Sequence, residues 1–163
     1  MNTEKLFKMQ KKLDSHIESQ HGLEEEDLFD RKVLALLVEI GELANETRCF
    51  KFWSVKPSSE KEVILEEFVD GVHFILSLGI ECGFNDIGSV FPAESDEANV
   101  SSQFIEVYER VQEFRKSHSR EDFMHLFEGY LKLAELLGLT EDQIEQAYIQ
   151  KNEVNYDRQR KGY

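Results

Sequence analysis

At 163 residues the chain is long enough for one domain with its own core, and residues 1–163 are expected to form a single one. Asp and Glu total 33 against 19 Lys and Arg, a formal net charge of −14 that repels nucleic-acid backbones and anionic membrane surfaces. Nine glycines and two prolines are too little turn punctuation for a β-sandwich and favour helices.

The opening MNTEKLFKMQKK carries charges where a signal peptide needs an apolar stretch. A first helix is expected from Thr3 to Gln20, where Leu6, Met9, Leu13 and Ile17 recur at three- and four-residue steps. His21-Gly22 ends it. The acidic run Glu24–Asp27 reads as a solvated loop or a first helical turn. A second helix runs from Asp30 to Arg48, and its apolar residues (Val33, Leu34, Leu36, Leu37, Ile40, Leu43, Ala44) cover more than half its circumference. A helix that apolar is expected at the centre of the fold. Cys49 to Pro57 breaks the period and forms a loop.

Ser59-x-x-Glu62 reads as a capping box opening a third helix that continues to Cys82, with Gly83 as its stop. Its longest apolar run, Val72 to Ile80, is interrupted by His73 and Ser77 and falls far short of the ~20 residues of a membrane span. Residues 84–98 are a polar connection containing Gly and Pro. A fourth helix spans Val100 to Lys116. Ser119-x-x-Asp122 caps a fifth, which stops at Gly138, and Thr140-x-x-Gln143 is a capping box opening a sixth. The tail after Asn155 turns basic. No segment alternates as a strand would, so an all-α helical bundle of about six helices is expected, soluble and cytoplasmic. Cys49 and Cys82 make neither a CxxC pair nor a zinc spacing and are expected as reduced thiols.

Two acidic pairs stand out. Residues three apart on a helix lie about one turn apart on one face, so Glu39-Ile-Gly-Glu42 and Glu67-Phe-Val-Asp70 each present two carboxylates side by side. Both pairs sit among apolar neighbours, where an unpaired carboxylate is costly. Two like charges ~4 Å apart repel by about 4 kcal/mol at an effective dielectric of ~20. If the second and third helices pack antiparallel, both pairs face one cleft, and four anions there need a cation. Few basic residues stand near them, so a divalent metal is the candidate, and an all-oxygen site with room for phosphate suits Mg²⁺ or Mn²⁺. The alternative is a solvated acidic face.

Three further features bear on a ligand. Lys151, Asn155 and Arg158 share one helical face that can clamp phosphate oxygens, or complement the negative end of the last helix. Phe50, Phe52 and Trp53, with Lys51 and Lys56, can stack on a base or pack the loop onto the bundle. Gln10, beside Asp14, carries an amide able to read a nucleobase edge.

The order ExxE, then ExxD on the next helix, resembles the all-α nucleoside triphosphate pyrophosphatase superfamily. The stretches ELANETRCFKFW and KNEVNYDRQRKGY narrow the resemblance to the dimeric dUTPases, over most of the chain from MQKKLD to the final GY. That resemblance implies a helical homodimer that uses Mg²⁺ to hydrolyse dUTP to dUMP and pyrophosphate. It implies that Glu39, Glu42, Glu67 and Asp70 hold the metals, that Lys151, Asn155 and Arg158 contact the phosphates, and that Gln10 and Trp53 enclose base and sugar. On this mechanism Glu39 or Glu42 orients the attacking water or takes its proton. A homodimer also fits the second and third helices, which are apolar over more surface than a small monomeric bundle buries. Two other readings remain: a related pyrophosphatase acting on dCTP or a modified nucleotide, and a non-catalytic helical dimer or adaptor.

Overall fold

The computed structural model describes residues 1–85, 87–94 and 99–162. Its helices are α1 (Thr3–His21), α2 (Phe29–Thr47), α3 (Lys61–Glu81), α4 (Val100–Ser117), α5 (Arg120–Leu136) and α6 (Glu141–Arg160), and no strand occurs among the described residues. All six expected helices are present. Their ends follow local chemistry. The Asn2 side chain accepts from Lys5 N, and Gly22 closes α1 at φ +65°. Ser119 caps α5 by accepting from Asp122 N, and Thr140 with Gln143 forms the expected capping box of α6. The last helix runs on to Arg160, so the basic tail is helical.

Two expectations fail. The Ser59–Glu62 capping box does not form: α3 starts after Glu60 with no side-chain cap. Ser59 is tied to the end of α2 instead. Its N–H donates to the Glu46 carbonyl at 3.0 Å and its hydroxyl to the Glu46 carboxylate. Held there, Ser59 sits one position before the N-cap, which falls to Glu60. The second correction concerns the centre of the bundle, which is α3 rather than α2. Among the described residues helix α3 packs on α1, α2, α5 and α6, whereas the backbone of α2 packs closely only on α3 and α4. Two neighbours cannot cover an apolar arc that wide, and Leu34 and Val38 stay 63% and 48% exposed.

Helices α2 and α3 run antiparallel. Lys32, near the start of α2, pairs with Glu81 at the end of α3, while Glu46, near the end of α2, holds Ser59 just before α3. One core cluster draws on all six helices. At its centre Phe68 and Tyr130 stack with centroids 4.4 Å apart, and the Tyr130 hydroxyl donates to Phe68 O at 2.9 Å. The 84–98 connection is less polar in fact than in sequence. Ile87 and Val90 are buried, and Thr3 Oγ1 donates to Gly88 O at 2.8 Å. Residues 86 and 95–98 of that connection lie outside the described residues, as does Tyr163. Both cysteines are free. Among the described residues no helix is long and apolar enough to cross a membrane.

Gly71 is required where α3 meets α5. A Cβ there would lie 2.7 Å from Tyr130 Cζ, against an aromatic ring that is itself fully buried. Gly71→Ala is therefore expected to destabilise the protein by about 1–3 kcal/mol, read as a lower urea midpoint with an unchanged slope.

Candidate metal and nucleotide site

The antiparallel seam of α2 and α3 sets Glu39 against Glu67 and Asp70. One carboxylate oxygen from each lies within 4.8 Å of the others, and all three residues are half-buried. Glu42 is exposed and stands outside this group, but its charge reaches it. Burial, then repulsion from Asp70, Glu42 and Glu67, pushes the Glu39 carboxyl from an ordinary 4.5 to about 7. Burial, then Asp70 and Glu42, raises Glu67 as well. Asp70 is raised by burial, with Lys151 opposing. Three hard oxygen donors that converge and resist ionising together are the donor set a hard divalent cation fits.

The expectation that few basic residues approach these pairs needs correction. Helix α6 crosses α3 and brings Lys151 Nζ to 2.7 Å from Asp70 Oδ2 and 2.9 Å from Glu66 Oε1. Sequence distance hid this, because Lys151 and Asp70 are 81 positions apart. Glu66 was not singled out in the sequence. It lies next to the ExxD pair, and the Lys151 hydrogen bond holds its carboxyl below the ordinary value.

Beside the carboxylates opens a cleft of about 350 Å³. It is lined by Glu39 from α2, by Asp70, His73, Phe74 and Ser77 from α3, by Gln10 and Asp14 from α1, and by Asn155 and Arg158 from α6. Five residues expected at a site from sequence thus share one cavity. Lys151 does not itself line this cleft but a neighbouring groove with Glu66 and Val69, reaching the cleft through its ion pair with Asp70. Trp53 does not line the cleft. It is 65% exposed and packs edge-on against Phe50 and Phe52. Its loop is held by Arg48, whose guanidinium donates to Ser54 Oγ at 2.7 Å and to Lys56 O at 3.1 Å.

The cleft also holds polar residues that sequence reasoning missed as site residues: Asp14, His73 and Ser77, with Tyr148 behind them. Burial depresses the His73 imidazole to about 3, so it is neutral at ordinary pH. Burial raises Asp14 against the opposing pull of Lys32, whose ammonium stands 4.0 Å away. The one sequence signal was polarity in the wrong place, since His73 and Ser77 interrupt the most apolar run in the chain.

Comparison with protein families matches a family model described as dUTPase over residues 2–163. No curated protein matches the chain.

In metal-free protein the Glu39 carboxyl is expected to titrate near pH 7 and to move down in Glu67→Gln, which removes one of the charges opposing its ionisation. A raised folded-state value means stability that is full below about 4.5 and lost as pH rises through about 7. Carbon-13 NMR of the carboxyl, and melting temperature against pH with Glu39→Gln as control, check both statements.

Proposed function

This chain belongs to the dUTPase family, is a dUTP diphosphatase, and on that premise we propose that Glu39, Glu67 and Asp70, with Glu42 one turn further along α2, hold Mg²⁺ against the triphosphate. The observation that carries this reading is the convergence of three under-neutralised carboxylates at the edge of a cleft of nucleotide size. When bound, the cation supplies positive charge to the phosphate oxygens and acidity to a coordinated water. Everything else falls to the side chains of the chain.

Asn155 and Arg158 line the cleft one turn apart on α6 and bind phosphate oxygens, the guanidinium in fork geometry. Lys151, ion-paired to Asp70 one turn before Asn155, adds positive charge at the phosphate end and stabilises charge on the departing pyrophosphate. Glu39 gives up its proton near pH 7, which suits a group that orients the attacking water or takes its proton. Glu42 is the other carboxylate available for that role. Gln10, at the α1 wall of the cleft, faces the base. Trp53 lies outside the cleft of its own chain, so its part in enclosing the sugar calls for movement of its loop or for a second protomer.

The homodimer belongs to the same proposal. Leu34 and Val38 on α2 and Ile105 on α4 are exposed, on two helices tied by the Tyr108 hydroxyl donating to Leu37 O at 3.0 Å. Solvent-facing aliphatic side chains grouped in this way support a protein contact. The adaptor alternative and the dCTP alternative both give way to the family assignment.

Pyrophosphate release from dUTP is expected to require Mg²⁺ and to fall on the order of 10²-fold or more in Glu39→Ala. A panel of dNTPs assayed with and without metal separates uracil from cytosine and modified bases, and release unaffected by chelation would sink the metal proposal. Sedimentation at micromolar concentration is expected to give a dimer, with Ile105→Glu shifting it toward monomer.

A further inference from the structure

The α1 wall of the cleft holds one amide whose orientation is determined by its neighbours. Gln10 is 4% exposed. Its Oε1 accepts from His73 Nδ1 at 2.7 Å and from the Tyr148 hydroxyl at 2.7 Å. A carbonyl oxygen has two lone pairs, so its accepting capacity is used up. Gln10 Nε2 donates to Asp14 Oδ1 at 2.7 Å. Asp14 is itself held, because Ser77 Oγ donates to its Oδ2 at 2.7 Å and the Lys32 ammonium stands 4.0 Å away. Turned the other way, Gln10 would set its carbonyl oxygen against the Asp14 carboxylate, so Asp14 fixes which end of the amide faces His73 and Tyr148.

The histidine is suited to this task. It is 5% exposed, and its Nε2 has no partner among the described residues. Its single ring proton therefore belongs on Nδ1, where an acceptor is waiting. The ring stacks on Tyr148 with centroids 4.1 Å apart, which fixes both donors relative to Gln10. One N–H of Gln10 is left without a partner among the described residues, on a side chain that lines the cleft with Asp14 and Asp70.

We infer that His73 and Tyr148 are positioning residues that lock the Gln10 amide so that it offers the nucleobase a donor and no acceptor. Such a group pairs with a carbonyl oxygen on the base edge and opposes an amino group. Uracil carries a carbonyl where cytosine carries an amine, so the lock selects dUTP over dCTP. The inference rests on the dUTP reading above and extends it to two residues behind the cleft wall.

The test has two arms. Nitrogen-15 NMR of the unmodified, substrate-free protein is expected to find His73 protonated on Nδ1. Steady-state kinetics then compare kcat/KM for dUTP and dCTP in the unmodified protein, Tyr148→Phe, His73→Leu and His73→Asn. Tyr148→Phe keeps the stacked ring and removes only the hydroxyl, freeing one lone pair of Gln10 Oε1. The dUTP-to-dCTP ratio is expected to fall about tenfold, through KM more than kcat. His73→Leu is expected to lower the ratio likewise, and His73→Asn, which retains an N–H donor, to recover part of the loss. A purely structural role would weaken both substrates together. A ratio unchanged in Tyr148→Phe and His73→Leu, or a proton on Nε2, overturns the inference. Failure of the unmodified protein to hydrolyse dUTP would sink the proposed function and base selection with it, while the tautomer result would stand or fall on its own.

Discussion

Carboxylates of one sign, half-buried in the seam between α2 and α3, are the constraint around which the molecule is arranged. Burial strips solvent from Glu39, Glu67 and Asp70, and the Asp70 charge then raises the cost of ionising Glu39 and Glu67. A fold selected for stability alone would place apolar side chains there. The seam stays together because its flanks are strongly apolar and its two ends are tied by Lys32 to Glu81 and by Ser59 to Glu46. What the arrangement stores is a standing demand for positive charge, met in part by Lys151 and left open toward the cleft.

Helix α3 serves core and site at once, on different faces. Phe68, Val69 and Val72 pack into the core, with Gly71 allowing Tyr130 to approach. Asp70, His73 and Ser77 follow at helical spacing along one stripe, toward α1 and α6. The stripe passes from an ion pair at Asp70, through the neutral imidazole, to a hydroxyl that holds Asp14. Charge gives way to hydrogen bonding along the wall of the cleft.

Much of the fold could be read directly from the chain. Helix positions follow from three- and four-residue recurrence and from caps such as Asn2, Ser119 and Thr140, all local effects. The ExxE and ExxD pairs were legible for the same reason, since i,i+3 spacing is a property of one helix. The centrality of α3 was not, because α2 and α3 are similarly apolar and only the number of packed neighbours separates them. Ser59 shows the same limit in miniature. Its local pattern is that of a cap, and a long-range bond to Glu46 overrides it.

Sequence alone determined the secondary structure, the acidic pairs and the basic face of α6, since each depends on residues within a turn or two of one another. Tertiary structure decided which of these meet. It brought Glu39 to Glu67 and Asp70, put Lys151 on Asp70, left Glu42 and Trp53 outward, and built the Gln10–His73–Tyr148 cluster from three helices. Contacts of that kind join positions far apart in the chain, and their energies arise from burial and mutual charge that exist only once the helices have packed.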